Sequence, residues 1–321
     1  MIRRSPSQFW TAMAFLIPNF LGFLVFCAGP VLFSLVISFT KWKLTRPDSL
    51  TWVGLSNFQA LFHDDRFWLC LVNTGYLMLG LPFAIGGSLC LALLLTRNMR
   101  GMVVYRTLFH LPSFASGVAL FILWKALYNP EFGPINVALN WILHTFGFTD
   151  VAAPKWLISV QNLLGLEVER LGFSPELWGV GAREALIIMG IWIGIGGNNM
   201  LLYIAALSNV SQELHEAASI DGAGPWAQFR HVTWPQLAPT TFFIVVMSMV
   251  GGLQGGFDQA RVMTGGGPSG TTTTLAYYIY TKSFQEFQIG YACAISWVLF
   301  IVIFAMTLIT WRTGQGASGE T

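Results

Sequence analysis

Charge is what this chain has least of. Only 10% of its 321 residues are Asp, Glu, Lys or Arg, against about 25% in an ordinary soluble domain. A water-facing surface cannot be built at that density, so a soluble enzyme and a disordered chain are both disfavoured. The net charge is +2 with no basic tract, which leaves nothing to hold nucleic-acid phosphates. Cysteine is equally sparse. Cys27, Cys70, Cys90 and Cys293 lie in apolar runs without CxxC spacing and read as small buried hydrophobes. Cys27 is a poor lipidation site, because bulky Phe26 precedes it and the apolar run continues beyond it.

Catalytic signatures are missing as well. There is no GxxxxGK[ST] loop, and the Gly265–Gly267 run has no Lys after it, so the chain lacks the usual means of hydrolysing ATP. His215-Glu216 is followed by Ala-Ala-Ser, without the second His of a zinc-protease HExxH. His63, His110, His144, His215 and His231 are far apart, with no ligand spacing. No GxSxG elbow occurs. Asp64-Asp65 could form a metal pair but reads first as solvated loop charge.

Apolar length is abundant. Hydrophobic residues make up 54% of the chain, with 13 Trp and 26 Phe, and the mean hydropathy is +0.60. A bilayer core needs about 20 apolar residues in a helix, because lipid offers backbone groups no partner. Six stretches meet that length: Ala12–Phe39, Leu69–Leu95, Leu108–Leu127, Ala185–Leu207, Leu237–Gly256 and Tyr291–Thr310. Trp10, Trp42, Trp68, Trp124 and Trp311 sit near their ends, as interface anchoring predicts. The expected fold is all-α and integral to the membrane, with six transmembrane helices. Residues 12–312 form that domain, 1–11 an N-terminal tail and 313–321 a flexible C-terminal tail. The charge-free first stretch is too long for a cleaved signal core and suits an anchored span. Six spans put both termini on one side. Arg3 and Arg4, with Arg97, Arg100 and Arg106 in a short loop, favour the cytoplasm, in a bacterial-type cell membrane.

Pro18, Pro30, Pro82, Pro112 and Pro239 interrupt the spans, as lipid-embedded helices tolerate where neighbours satisfy the freed carbonyls. Gly190 with Gly194, Gly251 with Gly255 and Gly252 with Gly256 are spaced for close helix approach. Tight packing is the first reading of these glycines, and a flexible segment beside a transport path the second. Polar groups at membrane depth face the bundle interior or a water-filled cavity. Here they are Asn198 and Asn199 in span four, Ser248 and Gln254 in span five, and Asp258 and Gln259 at its far end. Amides can hydrogen-bond sugar hydroxyls in both senses, and Trp192 could stack on a sugar face. They also serve as interhelical hydrogen bonds. For Asn199 and Gln254 the residues leave both readings open; for the others, packing comes first.

Of the loops, Tyr128–Glu184 reads as an ordered extracytoplasmic excursion, and Thr264–Thr274 as a Gly/Ser/Thr/Pro turn. Ser208–Pro235 is the most informative. Ser208–Ser211 can cap a helix through Gln212–Ile220. Asp221-Gly222 ends it, and Pro225 suits the first turn of a second helix. Phe229, Val232 and Trp234 carry that helix back, and Pro235 opens span five. Ala217, Ala218 and Ala223 let another surface approach closely, and Glu216 could pair with a base on it. An amphipathic hairpin lying on headgroups is the alternative, and physics alone leaves the two open.

Glu216-Ala217-Ala218, then Asp221-Gly222-Ala223, then Phe229, Val232 and Pro235 resemble the EAA loop of binding-protein-dependent ABC importer permeases. The likeness extends to Val53–Phe58, Phe67-Trp68, Asn73-Thr74, Trp124–Pro130 with Gly133 and Asn136, Thr264–Pro268, Thr271–Leu275, Tyr280 and Gly290–Ala292. These resemble the carbohydrate-uptake group that includes maltose, lactose and glycerol-phosphate permeases. Val232 and Trp234 stand where the family often has Ile and Leu, and Gln161–Gly181 is longer than usual. The resemblance implies the type I permease fold, with a cytoplasmic coupling loop at 208–235 between spans four and five. It implies a second homologous permease, two cytoplasmic ABC ATPases, an extracytoplasmic solute-binding protein and a sugar-like solute, moved by alternating access. ATP would be bound and hydrolysed by the partner ATPases, with no cofactor in this chain. An integral-membrane enzyme and an ATP-independent transporter or channel are the alternatives, and six spans alone do not exclude the latter.

Overall fold

The computed structural model describes residues 6–43, 45–97, 100–115, 117–148, 152–167 and 172–318. Arg3 and Arg4, and the outermost residues of both expected tails, lie outside them. Among the described residues, five helices are long and apolar enough to cross a bilayer: Met13–Ser38, Asp65–Leu95, Ala182–Ser208, Pro225–Gln254 and Ile289–Arg312. A sixth crossing requires Met102–Phe114 and Gly117–Leu127 together, and that pair bends by 97°. The uninterrupted third span expected at Leu108–Leu127 is thus corrected to a bent pair of helices. The break follows from local chemistry. Pro112 has no N–H to donate, Leu111–Phe114 tighten into a 3-10 turn ending in extended Ala115, and Ser113 Oγ donates to His110 O at 2.6 Å.

Prolines are accommodated by widening as well as by kinking. A π-helical turn at Leu24–Ala28 precedes Pro30, and another at Phe229–Thr233 precedes Pro235. A proline ring clashes with the carbonyl a turn before it, and a wider turn moves that carbonyl aside. Helical structure consequently runs without a break from Pro225 to Gln254.

Contacts divide the chain into two compact units, Met1–Asp64 with Ile279–Phe300, and Asp65–Tyr278 with Ile301–Thr321. The first unit holds span one and a short hairpin absent from the all-α expectation: β1 (Thr40–Lys43) pairs antiparallel with β2 (Arg46–Trp52). Asn57 Nδ2 holds the hairpin to the end of span one, donating to Ser38 O at 2.8 Å and Thr40 O at 2.9 Å. Asp64 accepts the Tyr291 hydroxyl at 2.6 Å. Only 6% of the residues in span one are buried, against 33% of those in span four.

In the second unit, spans two, four and five form the core. Leu89, Ala92 and Leu95 meet Met200, Tyr203 and Ile204, with Leu237 and Ile244 closing the cluster. A second cluster joins Leu120, Phe121 and Trp124 to Tyr128, Trp156, Ala185, Leu186 and Met189. Small residues permit this approach. A Cβ on Gly194 would stand 2.8 Å from that of Ala84, and one on Gly252 would stand 3.1 Å from Met78.

Candidate functional site

The Ser208–Pro235 segment folds as a self-braced helical hairpin. Gln212–Ile220 forms the first helix, with Ser211 Oγ accepting from Glu213 N at 3.2 Å as its cap. The helix ends at Asp221, and Gly222 adopts φ +78°, the left-handed conformation that glycine reaches without cost. Ala223 N then donates back to Ala218 O at 2.9 Å. The second helix starts at Pro225. Gln228 on it reaches across, donating from Nε2 to Ser219 Oγ and to Ala223 O, both at 2.9 Å. His215 lies between Gln228 Oε1 and Thr233 Oγ1, 3.4 Å from each. Gln212 Nε2 donates to Glu216 at 2.9 Å, so that carboxylate is held along its own helix. Phe229 is half-buried between Trp226, 5.5 Å away, and Trp234, 6.2 Å away.

The hairpin turns apolar surface outward. Ile220 is 87% exposed and Trp226 71%. Glu216, Ala217, Asp221, Gly222 and Pro235 are exposed too, while Ala218 and Ala223 are half-buried. No heavy atom lies within 4 Å of a Cβ placed on Gly222. The bend is a rigid knuckle with open space before it.

Both core spans beside the hairpin are broken at paired glycines. Span four consists of helices Ala182–Ile195 and Asn198–Ser208, separated by Gly196-Gly197. A Cβ on Gly196 would collide with Phe109 O. Span five's helix stops at Gln254; Gly255 is extended and Gly256 has φ +83°. Asn198, Asn199 and Gln254 therefore sit at the two breaks. Asn198 and Gln254 are exposed, Asn199 and Ser248 half-buried. Trp192 is 47% exposed, with its ring edge-on to Trp124 at 5.4 Å. The cavity between spans two, four and five has a volume of about 250 Å³, and none of these five residues lines it. It is bounded instead by Gly190, Gly251 and Gly255, with Thr74, Gln259 and Thr274 as its polar groups. Gly190 and Gly251 face open space, whereas Gly194, Gly252 and Gly256 are packed. Among the described residues, no three of His, Cys, Asp and Glu are grouped to hold a metal.

The family model described as "Binding-protein-dependent transport system inner membrane component" matches residues 84–313. The chain belongs to this family. It is 33% identical over 308 residues to the probable ABC transporter permease protein YesP of Bacillus subtilis, covering 94% of this chain and 89% of that one. To the sn-glycerol-3-phosphate transport system permease protein UgpA of Yersinia enterocolitica it is 33% identical over 266 residues, covering 82% and 80%. To the lactose transport system permease protein LacF of Rhizobium radiobacter it is 31% identical over 291 residues, covering 89% and 87%. Its fold is that of a chain in the crystal structure of a bacterial alginate ABC transporter in complex with an alginate pentasaccharide-bound periplasmic protein. The TM-score is 0.76 at 23% identity, over 96% of this chain and 95% of that one. The chain is therefore a multi-pass transport permease rather than an enzyme.

One constellation in this permease escaped the sequence reading. Arg183 and Glu184, placed before span four, lie inside its first turn and are 1% and 3% exposed. Arg183 Nη2 donates to Asn73 Oδ1 at 2.7 Å and its Nε to Thr271 O at 3.0 Å, with the guanidinium 5.1 Å from the Tyr76 ring centre. Glu184 accepts from the Tyr76 hydroxyl, from Leu163 N at 2.9 Å and from Gly181 N at 3.0 Å. Asn73 Nδ2 donates in turn to Gly270 O and Thr273 O. Span two, span four, the third loop and the Thr264–Thr274 turn are thereby knotted at one level. The sequence carries a signal for this, an Arg-Glu pair heading an apolar run, but spacing cannot say that a charge is internal.

Proposed function

We propose that this permease is one transmembrane half of an ATP-driven importer for a sugar or sugar-like solute. Its hairpin docks on a cytoplasmic ATPase, and a second, homologous permease completes the solute path. Hairpin and termini then lie in the cytoplasm, and the third loop outside. The observation that carries the reading is the Gly222 knuckle, braced by Gln228 and His215 and presenting Ile220 and Trp226 to empty space. A hairpin resting on headgroups has no use for an internal brace. A lever does, because force applied at the bend must reach span five, with which its second helix is continuous.

The path residues support the same assembly. Trp192, Asn198 and Gln254 are exposed at membrane depth. Polar side chains there face a protein interface or water, not lipid, and a second chain would supply the missing wall. Asn198 and Gln254 beside helix breaks offer amides to solute hydroxyls. A sugar-like cargo is consistent with the solutes named for UgpA and LacF, and with the alginate pentasaccharide held by the periplasmic protein of the structural neighbour.

The test is ATP-dependent uptake in proteoliposomes holding the permease with its co-purifying subunits, together with crosslinking from Ala217→Cys. Crosslinks to an ATPase subunit and uptake that needs internal ATP are expected. Uptake without ATP, or labelling of residue 217 by an impermeant reagent from outside intact cells, would overturn the reading.

A further inference from the structure

The Pro134–Thr145 helix in the third loop has three faces. Asn136 is buried, and Ile135 and Leu139 pack against the aromatic core. Asn140 and His144 are exposed on a narrow polar strip. Opposite the core face, Val137 is 59% exposed and Trp141 69%, while Ile142, 44% exposed, borders the core face beside Ile135. At about 3.6 residues per turn, Val137 and Trp141 stack one above the other on that outer side. From Pro134 to Phe148 there is no Asp, Glu, Lys or Arg.

The depth of this helix is fixed by its first turn. Asn136 accepts the Trp156 indole N–H, and its Nδ2 donates to Pro130 O and Pro154 O, each at 3.2 Å. The Trp156 ring packs on Tyr128 at 5.0 Å, and the Tyr128 hydroxyl donates to Ala185 O at 2.9 Å. Ala185 belongs to the first turn of span four. The first turn of the helix therefore stands level with the end of a membrane span.

We propose that Pro134–Thr145 is an interfacial helix, with Trp141 and Ile142 in the boundary between headgroups and acyl chains and with Asn140, about 100° round the helix from Trp141, in water. Lipid is the occupant because the apolar face continues the boundary at which the span ends. A tryptophan in an uncharged amphipathic helix at that depth has the character of a membrane-interface anchor.

The test uses the full-length permease, purified from membranes into phosphatidylcholine nanodiscs without any soluble binding protein. An environment-sensitive fluorophore is attached to Trp141→Cys, and in a second variant to Asn140→Cys, in a background without the four native cysteines. The label at 141 should emit at shorter wavelength, be quenched by lipids carrying shallow nitroxides, and show a several-fold lower iodide quenching constant than the label at 140. Equal iodide quenching at both positions would overturn the proposal. So would a label at 141 that becomes shielded only when a periplasmic fraction is added, which would assign the face to a protein. Both variants preserve the Asn136 contacts, and a sharp gel-filtration peak with unchanged thermal unfolding verifies the fold. None of these readouts depends on ATP coupling.

Discussion

Gly222 separates what the hairpin needs for itself from what it needs for a partner. Its φ of +78° makes any L-residue other than Asn or Asp costly there, by about 1–2 kcal/mol. Asn visits that conformation routinely, so Gly222→Asn leaves the bend nearly unstrained. Inside the chain the added side chain meets nothing, since the space within 4 Å of a Cβ is empty. Gly222→Ala should thus loosen the hairpin by about 1 kcal/mol, whereas Gly222→Asn should insert, accumulate and unfold like the wild type. If the knuckle sits in a groove of an ATPase, the Asn side chain is an overpacked contact worth about 1–3 kcal/mol, or roughly 5–150-fold in a coupling constant. ATP-dependent uptake and ATPase co-purification should therefore fall more for Asn than for Ala. The assay is uptake in proteoliposomes, normalised to reconstituted permease. A Gly222→Asn protein that retains its ATPase subunits and transports normally would refute the argument, because the bend would then touch nothing.

Arg183→Met removes two charge-assisted hydrogen bonds from a 1% exposed side chain; at about 1.5–3 kcal/mol each, the detergent-solubilised protein should unfold several degrees lower, and an unchanged melting curve would show the knot to be idle. Gly251→Leu projects into the cavity, where a Cβ meets no atom within 4 Å; expression should hold while uptake falls, and normal uptake would mean that spans two, four and five do not close into that space. Burial pushes the Tyr128 hydroxyl above the ordinary phenol range. The unfolded chain therefore loses this proton first, so the stability Tyr128 contributes is intact below about pH 10 and declines as pH rises further. Tyr128→Phe should flatten that alkaline decline in thermal unfolding, at a neutral-pH loss of about 1 kcal/mol from the bond to Ala185 O.

How much of this was legible differs from element to element. Membrane class was, because ten percent charge and runs of more than twenty apolar residues admit no other solvent. The hairpin's outline was also legible, since a capping Ser, an Asp-Gly stop and a Pro start act over a few neighbouring residues. The braces were not. Gln228 and His215 acquire their roles only when the two helices lie side by side. The same limit hid the third span's 97° bend. Hydropathy sums apolar character along a chain and is blind to where a 3-10 turn redirects it.

Composition and local spacing thus determined, without coordinates, that this protein lives in a bilayer, is built of helices and carries a helical hairpin between two of them. Tertiary structure alone decided that Arg183 and Glu184 are internal, that Gly194 and Gly252 meet Ala84 and Met78 across the cavity they share with Gly190 and Gly251, and that Asn198 and Gln254 face outward at helix breaks. The reason is one of range. Solvent preference and turn chemistry are properties of a residue and its neighbours, whereas burial of a charge is set by partners such as Asn73 and Thr271, more than eighty residues away in either direction.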